Sequence, residues 1–181
     1  TQVGTLITDK VDNNMEEPII SGIAFNRDEA KVVIRGVPDQ PGVASRILAP
    51  VSDANIEIDM IVQNVSADGT TDFTFTVNRT DCARTIEILE AVCKELGARE
   101  VFSDPDVVKV SIVGVGMRSH AGVASKMFKT LAENQINIQM ISTSEIKISV
   151  VIVDHQLELA VQKLHTAFDL DRSEGESSAH A

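Results

Sequence analysis

The stretch "QPGVASRIL" at Gln40–Leu48 returns eighty positions later as "HAGVASKMF" at His120–Phe128. Each time a short polar turn hands over to Gly-Val-Ala-Ser and then to an apolar run. At the same offset Val43, Ile47, Leu48 and Val51 fall on Val123, Met127, Phe128 and Leu131. Those spacings form the i, i+4, i+5, i+8 stripe of an amphipathic helix. Ile56, Ile58, Met60 and Ile61 fall on Ile136, Ile138, Met140 and Ile141, where alternation predicts half-buried strand. The chain therefore contains an internal repeat.

Upstream of each helix, "KVVIRGV" at Lys31–Val37 and "KVSIVGV" at Lys109–Val115 align at an offset of 78, so the loop of the second copy is two residues longer. Downstream, "TDFTFTV" and "EIKISVVIV" alternate again, the first introduced by the hairpin signal Asp68-Gly69. Each copy then continues into a helix, marked by Ile86, Leu89, Val92/Cys93 and Leu96 in one and by Leu157, Val161, Leu164 and Phe168 in the other. Gly97 is the expected C-terminal stop and Asp154 the expected N-cap. Pro50, late in the first helix, predicts a kink or an early end.

The first copy closes with a short strand, "AREVF" at Ala98–Phe102. The order βαββαβ describes a ferredoxin-like α+β fold with helices on one face of an antiparallel sheet. The second copy has no closing strand; residues 171–181 are polar and expected to be a disordered tail. "IISGIAFN" at Ile19–Asn26 has no partner of its own. It is expected to complete the second copy, so that a first domain over 30–105 is inserted into a second built from 18–29 and 106–170.

With 27 acidic against 16 basic residues the formal charge is -11, which disfavours nucleic acid and anionic membranes as partners. No apolar run approaches the roughly 20 residues that span a bilayer, and no signal-peptide pattern opens the chain. A soluble, cytoplasmic protein is expected. Cys82 and Cys93 lie eleven residues apart on one helix pattern, beyond disulfide reach. The four histidines share no metal-ligand spacing with each other or with the cysteines, and no metal site is expected.

Gly42 and Gly122 stand where a strand hands over to a helix, whose first backbone N–H groups point outward unpaired. The first loop, "GVPDQPG", adds the acidic Asp39 and no cation. Amides beside a fixed negative charge suit a zwitterion: a free amino acid offers its carboxylate to the amides and its ammonium to Asp39. The alternative is that Gly42 merely permits a tight turn that Asp39 caps. Gly114 and Gly116 give only part of a dinucleotide fingerprint.

The stretches "GVPDQPGVAS", "NIEIDMIVQNVS", "DGTTDFTFTV", "SIVGVGMRSHAGVASKMF" and "INIQMISTSEIKISVVI" together resemble the tandem ACT domains at the C-terminus of bacterial aspartokinase. The resemblance runs from about Pro18 to Leu170. It implies a regulatory module that binds threonine and/or lysine, pairs with a second copy as a homodimer, and exerts feedback inhibition on an aspartokinase catalytic domain or subunit. It implies no cofactor in this chain, ATP and Mg belonging to the kinase domain. It also implies that 1–17 is the linker from that domain, "GTLIT" at Gly4–Thr8 resembling the kinase domain's end, with Met15 a candidate internal start. Carried over residue by residue, a threonine-type effector site uses Asp39, Pro41, Gly42, Val43, Ala44 and Gln63, with Asn137 and Ile138 supplied by the facing ACT domain. A second site uses Met117, Ser119, His120, Ala121, Gly122 and Val123, with Ser144 and Glu145 nearby; its loop lacks the acidic residue, which leaves its ligand open. The competing readings are a ligand-independent dimerisation scaffold and an ACT regulator of another amino-acid enzyme.

Overall fold

The computed structural model describes residues 20–115 and 121–170, apart from the Ala121 side chain. The element order is β1 (Ile20–Pro38), α1 (Val43–Asp53), β2 (Ile58–Val65), β3 (Thr70–Val77), α2 (Cys82–Leu96), β4 (Glu100–Gly114), α3 (Ala121–Glu133), β5 (Met140–Thr143), β6 (Lys147–Val153) and α4 (Leu157–Ala167). A 3-10 turn precedes α2 at Arg79–Asp81 and another precedes α4 at Asp154–Gln156.

The strands form one antiparallel sheet in the order β2-β3-β1-β4-β6-β5. "IISGIAFN" and "KVVIRGV" are parts of one 19-residue strand, and "AREVF" runs on into "KVSIVGV" as a second long strand of 15. The two long strands pair along their length: Ile23 lies opposite Ile112 and Asn26 opposite Lys109 at one end, Val33 opposite Phe102 and Ile34 opposite Val101 at the other. The register slips mid-strand at the polar stretches between these motifs, Arg27-Asp28-Glu29 and Ser103-Asp104-Pro105-Asp106, and again near the start of β1 between Ile20 and Gly22. Pro105 falls between the paired residues Asp104 and Val107, before β6 joins the other side of β4, which is where a strand tolerates a missing donor.

Packing follows the repeat. Val43, Ile47 and Val51 of α1 and Val123, Met127 and Leu131 of α3 are all buried, as the shared stripe requires. The first set packs on Val32, Ile34, Phe73 and Phe75, with Leu89 and Cys93 of α2 closing the cluster. The second packs on Val110, Ile112, Ile148 and Ile152 with Leu157 and Leu164 of α4, and Ile20 and Ile23 lie against it. Cys82 and Cys93 are buried free thiols of α2, and burial pushes the Cys93 thiol up from its ordinary 9.0.

A third cluster lies on the helix-free face. Met60 and Met140, with Val107 and Val151, are buried together and Val62 packs against them. Met60 belongs to β2 and Met140 to β5, the two outermost strands of the sheet. The sheet therefore curls until its edges meet across that face, and the two repeats are joined by core as well as by shared strands.

Four local expectations differ. α1 passes through Pro50 and ends at Asp53; buried Val51 anchors the last turn to the core, which holds the helix past the missing donor. Asp154 opens a 3-10 turn instead of capping α4, whose N-cap is Gln156 with no side-chain bond. Gly122 lies inside α3, the helix starting one residue earlier, so it is not a counterpart of the cap glycine Gly42. Ile56 precedes β2, which begins at Ile58, just as Ile136 and Ile138 precede β5, which begins at Met140. Gly97 does end α2, with φ 71 and its N–H on the Cys93 carbonyl, and the Asp68-Gly69 turn joins β2 to β3 through Ser66 N–H to the Thr70 carbonyl at 2.7 Å. The predicted linker 1–17 and tail 171–181 lie outside the described residues.

Candidate functional site

The turn between β1 and α1 is built on Gly42, whose φ of 89 is left-handed, a conformation a side chain would strain. Val43 N–H returns to the Gln40 carbonyl at 3.1 Å and Arg46 N–H to the Gly42 carbonyl at 3.0 Å. Helix geometry leaves the Ala44 and Ser45 amides without an intrahelical acceptor, and α1 has no side-chain cap bond. Asp39 therefore does not cap the helix. Its N–H donates to the Gly69 carbonyl at 3.0 Å, which ties the turn to the β2–β3 hairpin, and its carboxylate belongs to an exposed residue.

The hairpin is fixed by Asp68, whose carboxylate accepts from Thr70 N–H at 3.1 Å and Thr70 Oγ1 at 2.7 Å. Those bonds, with Arg99 at 3.7 Å, hold its carboxyl below the ordinary 3.8. Gln63, on β2 opposite Phe73, is exposed and two residues from the hairpin end of that strand.

Two clefts divide the remaining effector candidates. Pro41 and Val43, with Val37, Arg46, Glu95 and Leu96, line one of ≈ 210 Å³ between the turn and the end of α2; Arg46 is engaged by Glu95 at 2.6 Å. Ile138 lines another of ≈ 370 Å³ with Gln139, Val62, Asn64 and Thr74, where the edges β2 and β5 converge. Asn137, beside Ile138, is exposed. The turn and Ile138 thus border different clefts of one chain.

Of the second set, Met117, Ser119 and His120 lie outside the described residues, as does the Ala121 side chain. Val123 is buried in the α3 core and Gly122 is exposed on the first turn of α3. Ser144 and Glu145 form the turn from β5 to β6, in which Lys147 N–H reaches Ser144 Oγ at 3.2 Å. Ile146 accepts from Gly114 N–H at 2.8 Å, so this turn sits beside the end of β4, where the loop to α3 departs.

A polar layer not anticipated from the sequence lies on the helix-free face. Lys109 Nζ donates to Glu29 Oε1 at 2.5 Å and to Asp59 Oδ2, and Asn26 Nδ2 donates to the same Glu29 oxygen at 3.0 Å. Glu29 is only 2% exposed. Burial alone would push the Lys109 ammonium down; the bonds and charges of Asp59 and Glu29 outweigh it and hold the group above its ordinary 10.5. Lys31 Nζ lies 3.6 Å from Asp104 Oδ2 and donates to Gln139 Oε1. Arg79 donates to the Val107 carbonyl at 3.0 Å and stands 3.8 Å from Asp154. The signal for this layer was in the repeat: Lys31 and Lys109 open the two aligned strand motifs.

Matches to family models agree with this architecture: residues 32–97 and residues 110–168 each match an ACT domain. Among solved structures, the regulatory subunit of aspartate kinase from Thermus thermophilus superposes with a TM-score of 0.78 at 40% identity, covering 82% of this chain and 98% of that one. The chain belongs to the aspartokinase family, as its ACT-domain regulatory region. A structure of aspartokinase alpha and beta subunits gives a TM-score of 0.79 at 57% identity, over 83% of this chain and 99% of that chain. An aspartate kinase of Stutzerimonas stutzeri is 65% identical over 97% of this chain and 42% of its own length; one of Pseudomonas fluorescens is 69% identical over 93% and 41%. This ACT region thus spans about two fifths of the curated relatives it matches. Among the described residues no helix is long and apolar enough to cross a membrane.

Proposed function

We propose that the chain is an amino-acid sensor of aspartate kinase, in which ACT units bind threonine and/or lysine and transmit feedback inhibition to a catalytic domain or subunit. The observation that carries this reading is the α1 N-terminus: open amides at Ala44 and Ser45, no side-chain cap, and the exposed acidic residue Asp39 in the turn that leads into it. That pairing suits the carboxylate and ammonium of a free amino acid. Ile138 borders a different cleft from the turn, which supports a site completed by a second copy of the chain. Exposed Ile61 and Val65 on edge strand β2 and Ile141 on edge strand β5 are surfaces such a homodimer would cover. Effector binding shifts the kinase only by its difference in affinity for the two states.

Titration calorimetry with threonine tests the site directly. Gln63→Ala should weaken binding by about 1 kcal/mol, a lost polar contact, and Asp39→Asn by more, since it removes the charge facing the ammonium. Unchanged affinity in both variants places the site elsewhere. A scaffold that binds no effector gives no heat with threonine or lysine, while light scattering still reports a dimer.

A further inference from the structure

The offset of 78 that superposes the strand motifs carries Lys31 onto Lys109, and the offset of 80 that superposes the following segments carries Asp59 onto Gln139. In space the lysines cross over: Lys109 of the second repeat reaches Asp59 of the first, and Lys31 of the first reaches Gln139 of the second. The two crossings differ chemically. Lys109 is held by two carboxylates, Glu29 and Asp59, whereas Lys31 has Asp104 at 3.6 Å and an amide oxygen. Gln139 itself lies in the candidate effector segment, next to Ile138, and lines the ≈ 370 Å³ cleft with it. Its backbone is pinned by N–H to the Val151 carbonyl at 2.8 Å, while Ile136 is pinned by N–H to the Leu131 carbonyl at 2.9 Å. Asn137 and Ile138 are the two residues held between those pins.

We infer that Lys31 is a positioning residue for the effector segment: by occupying the amide oxygen of Gln139 it fixes that side chain so that the cleft is offered amide N–H donors. An ammonium has no acceptor capacity, so its bond to Gln139 commits the oxygen and leaves both Nε2 hydrogens for another partner. The cleft is thereby matched to an oxygen acceptor, such as the carboxylate or hydroxyl of a small amino acid. Lys109 and Asp59 hold the counterpart segment, Glu57–Asp59, in the first repeat. This inference rests on the effector reading above, and its test separates the two.

The test uses the full chain, with threonine as the probe in calorimetry and thermal melts of every variant. Lys31→Met and Gln139→Glu should each raise the threonine dissociation constant roughly fivefold, the weight of one positioned hydrogen bond. Lys31→Arg, which keeps a donor, should restore most of the affinity. Lys109→Met should lower the melting temperature more than Lys31→Met does yet leave threonine affinity unchanged, which separates positioning from a merely structural role. Without ligand, the Gln139 carboxamide resonances, assigned by their loss in Gln139→Glu, should move on Lys31→Met. Wild-type binding that persists unaltered in Lys31→Met overturns the inference and leaves the effector reading intact. Affinity losses that follow melting temperature across all variants also overturn it. A wild-type chain that binds no threonine overturns the effector reading, and the inference falls with it.

Discussion

Replacing Lys109 with Met should be among the most damaging single changes on the helix-free face. Glu29 is 2% exposed and takes its hydrogen bond from Lys109 at 2.5 Å, with Asn26 as its other side-chain donor. Removing the ammonium leaves a buried carboxylate with one neutral amide for support, a situation that costs about 3–5 kcal/mol. Asp59, with 45% of its side chain exposed, returns to water and adds little. Adding Glu29→Gln to Lys109→Met removes the uncompensated charge, and the double variant should lie within about 2 kcal/mol of the parent, since exchanging a buried ion pair for neutral groups is often near-neutral. Urea unfolding at neutral pH, with all four members of the cycle, measures both numbers. A single-variant loss below about 1 kcal/mol, or a double variant as unstable as the single, would mean that Lys109 does not compensate a buried Glu29 charge. The pH dependence has a definite sign. The folded pKa of Lys109 lies above the ordinary 10.5, so its contribution is complete below 10.5 and is lost as pH rises through the folded value. Parent and Lys109→Met should therefore converge in stability above that pH.

Asp68 behaves in the opposite sense: its carboxyl is held below 3.8, first by Thr70, so its support of the hairpin is present above that value and fades as pH falls through the folded pKa. NMR titration should find its midpoint below the ordinary 3.8, and Thr70→Val should move it upward. Gly36 and Gly97 both have positive φ, but a Cβ at Gly36 would meet Arg99 Cβ at 3.0 Å while one at Gly97 meets nothing within 4 Å. Gly97→Ala should cost about 1 kcal/mol from backbone strain alone and Gly36→Ala more, as chemical denaturation will show. Arg79→Ala breaks a charge-assisted bond to the Val107 carbonyl and should destabilise by about 1.5–3 kcal/mol; a loss within 0.5 kcal/mol, the usual range for an unremarkable surface site, would mean that the contact is idle.

The helices and the hairpin were legible because their causes are local. The stripe through Val43, Ile47 and Val51 and its copy through Val123, Met127 and Leu131 need only a periodicity, and the turn at Asp68-Gly69 only its φ preferences. The fusion of the sheet was not legible. Arg27-Asp28-Glu29 and Ser103-Asp104-Pro105-Asp106 carry loop composition, and what keeps them extended is the opposite long strand: Glu29 faces Val107 and is bonded by Lys109, while Asp104 faces Lys31. The candidate site divides in the same way. The Asp39–Ala44 turn could be read in sequence because a strand-to-helix handover with a left-handed glycine is a local event. The neighbours of Asn137 and Ile138 depend on the curl that brings β5 to β2, and no spacing along the chain encodes that approach. The cap expected at Asp154 fails because a 3-10 turn begins there, and its neighbour Arg79 at 3.8 Å is a tertiary partner that no local spacing reveals.

Binding of end-product amino acids by this ACT region is decided by a thermal-shift survey of the twenty amino acids against the purified chain. Ligand that binds the folded form stabilises it by about 2.7 kcal/mol per site at 100 times the dissociation constant. A saturable rise in melting temperature with threonine and/or lysine, diminished by Asp39→Asn, is the expected result. A flat response to all twenty, from a chain that melts cooperatively, would contradict it.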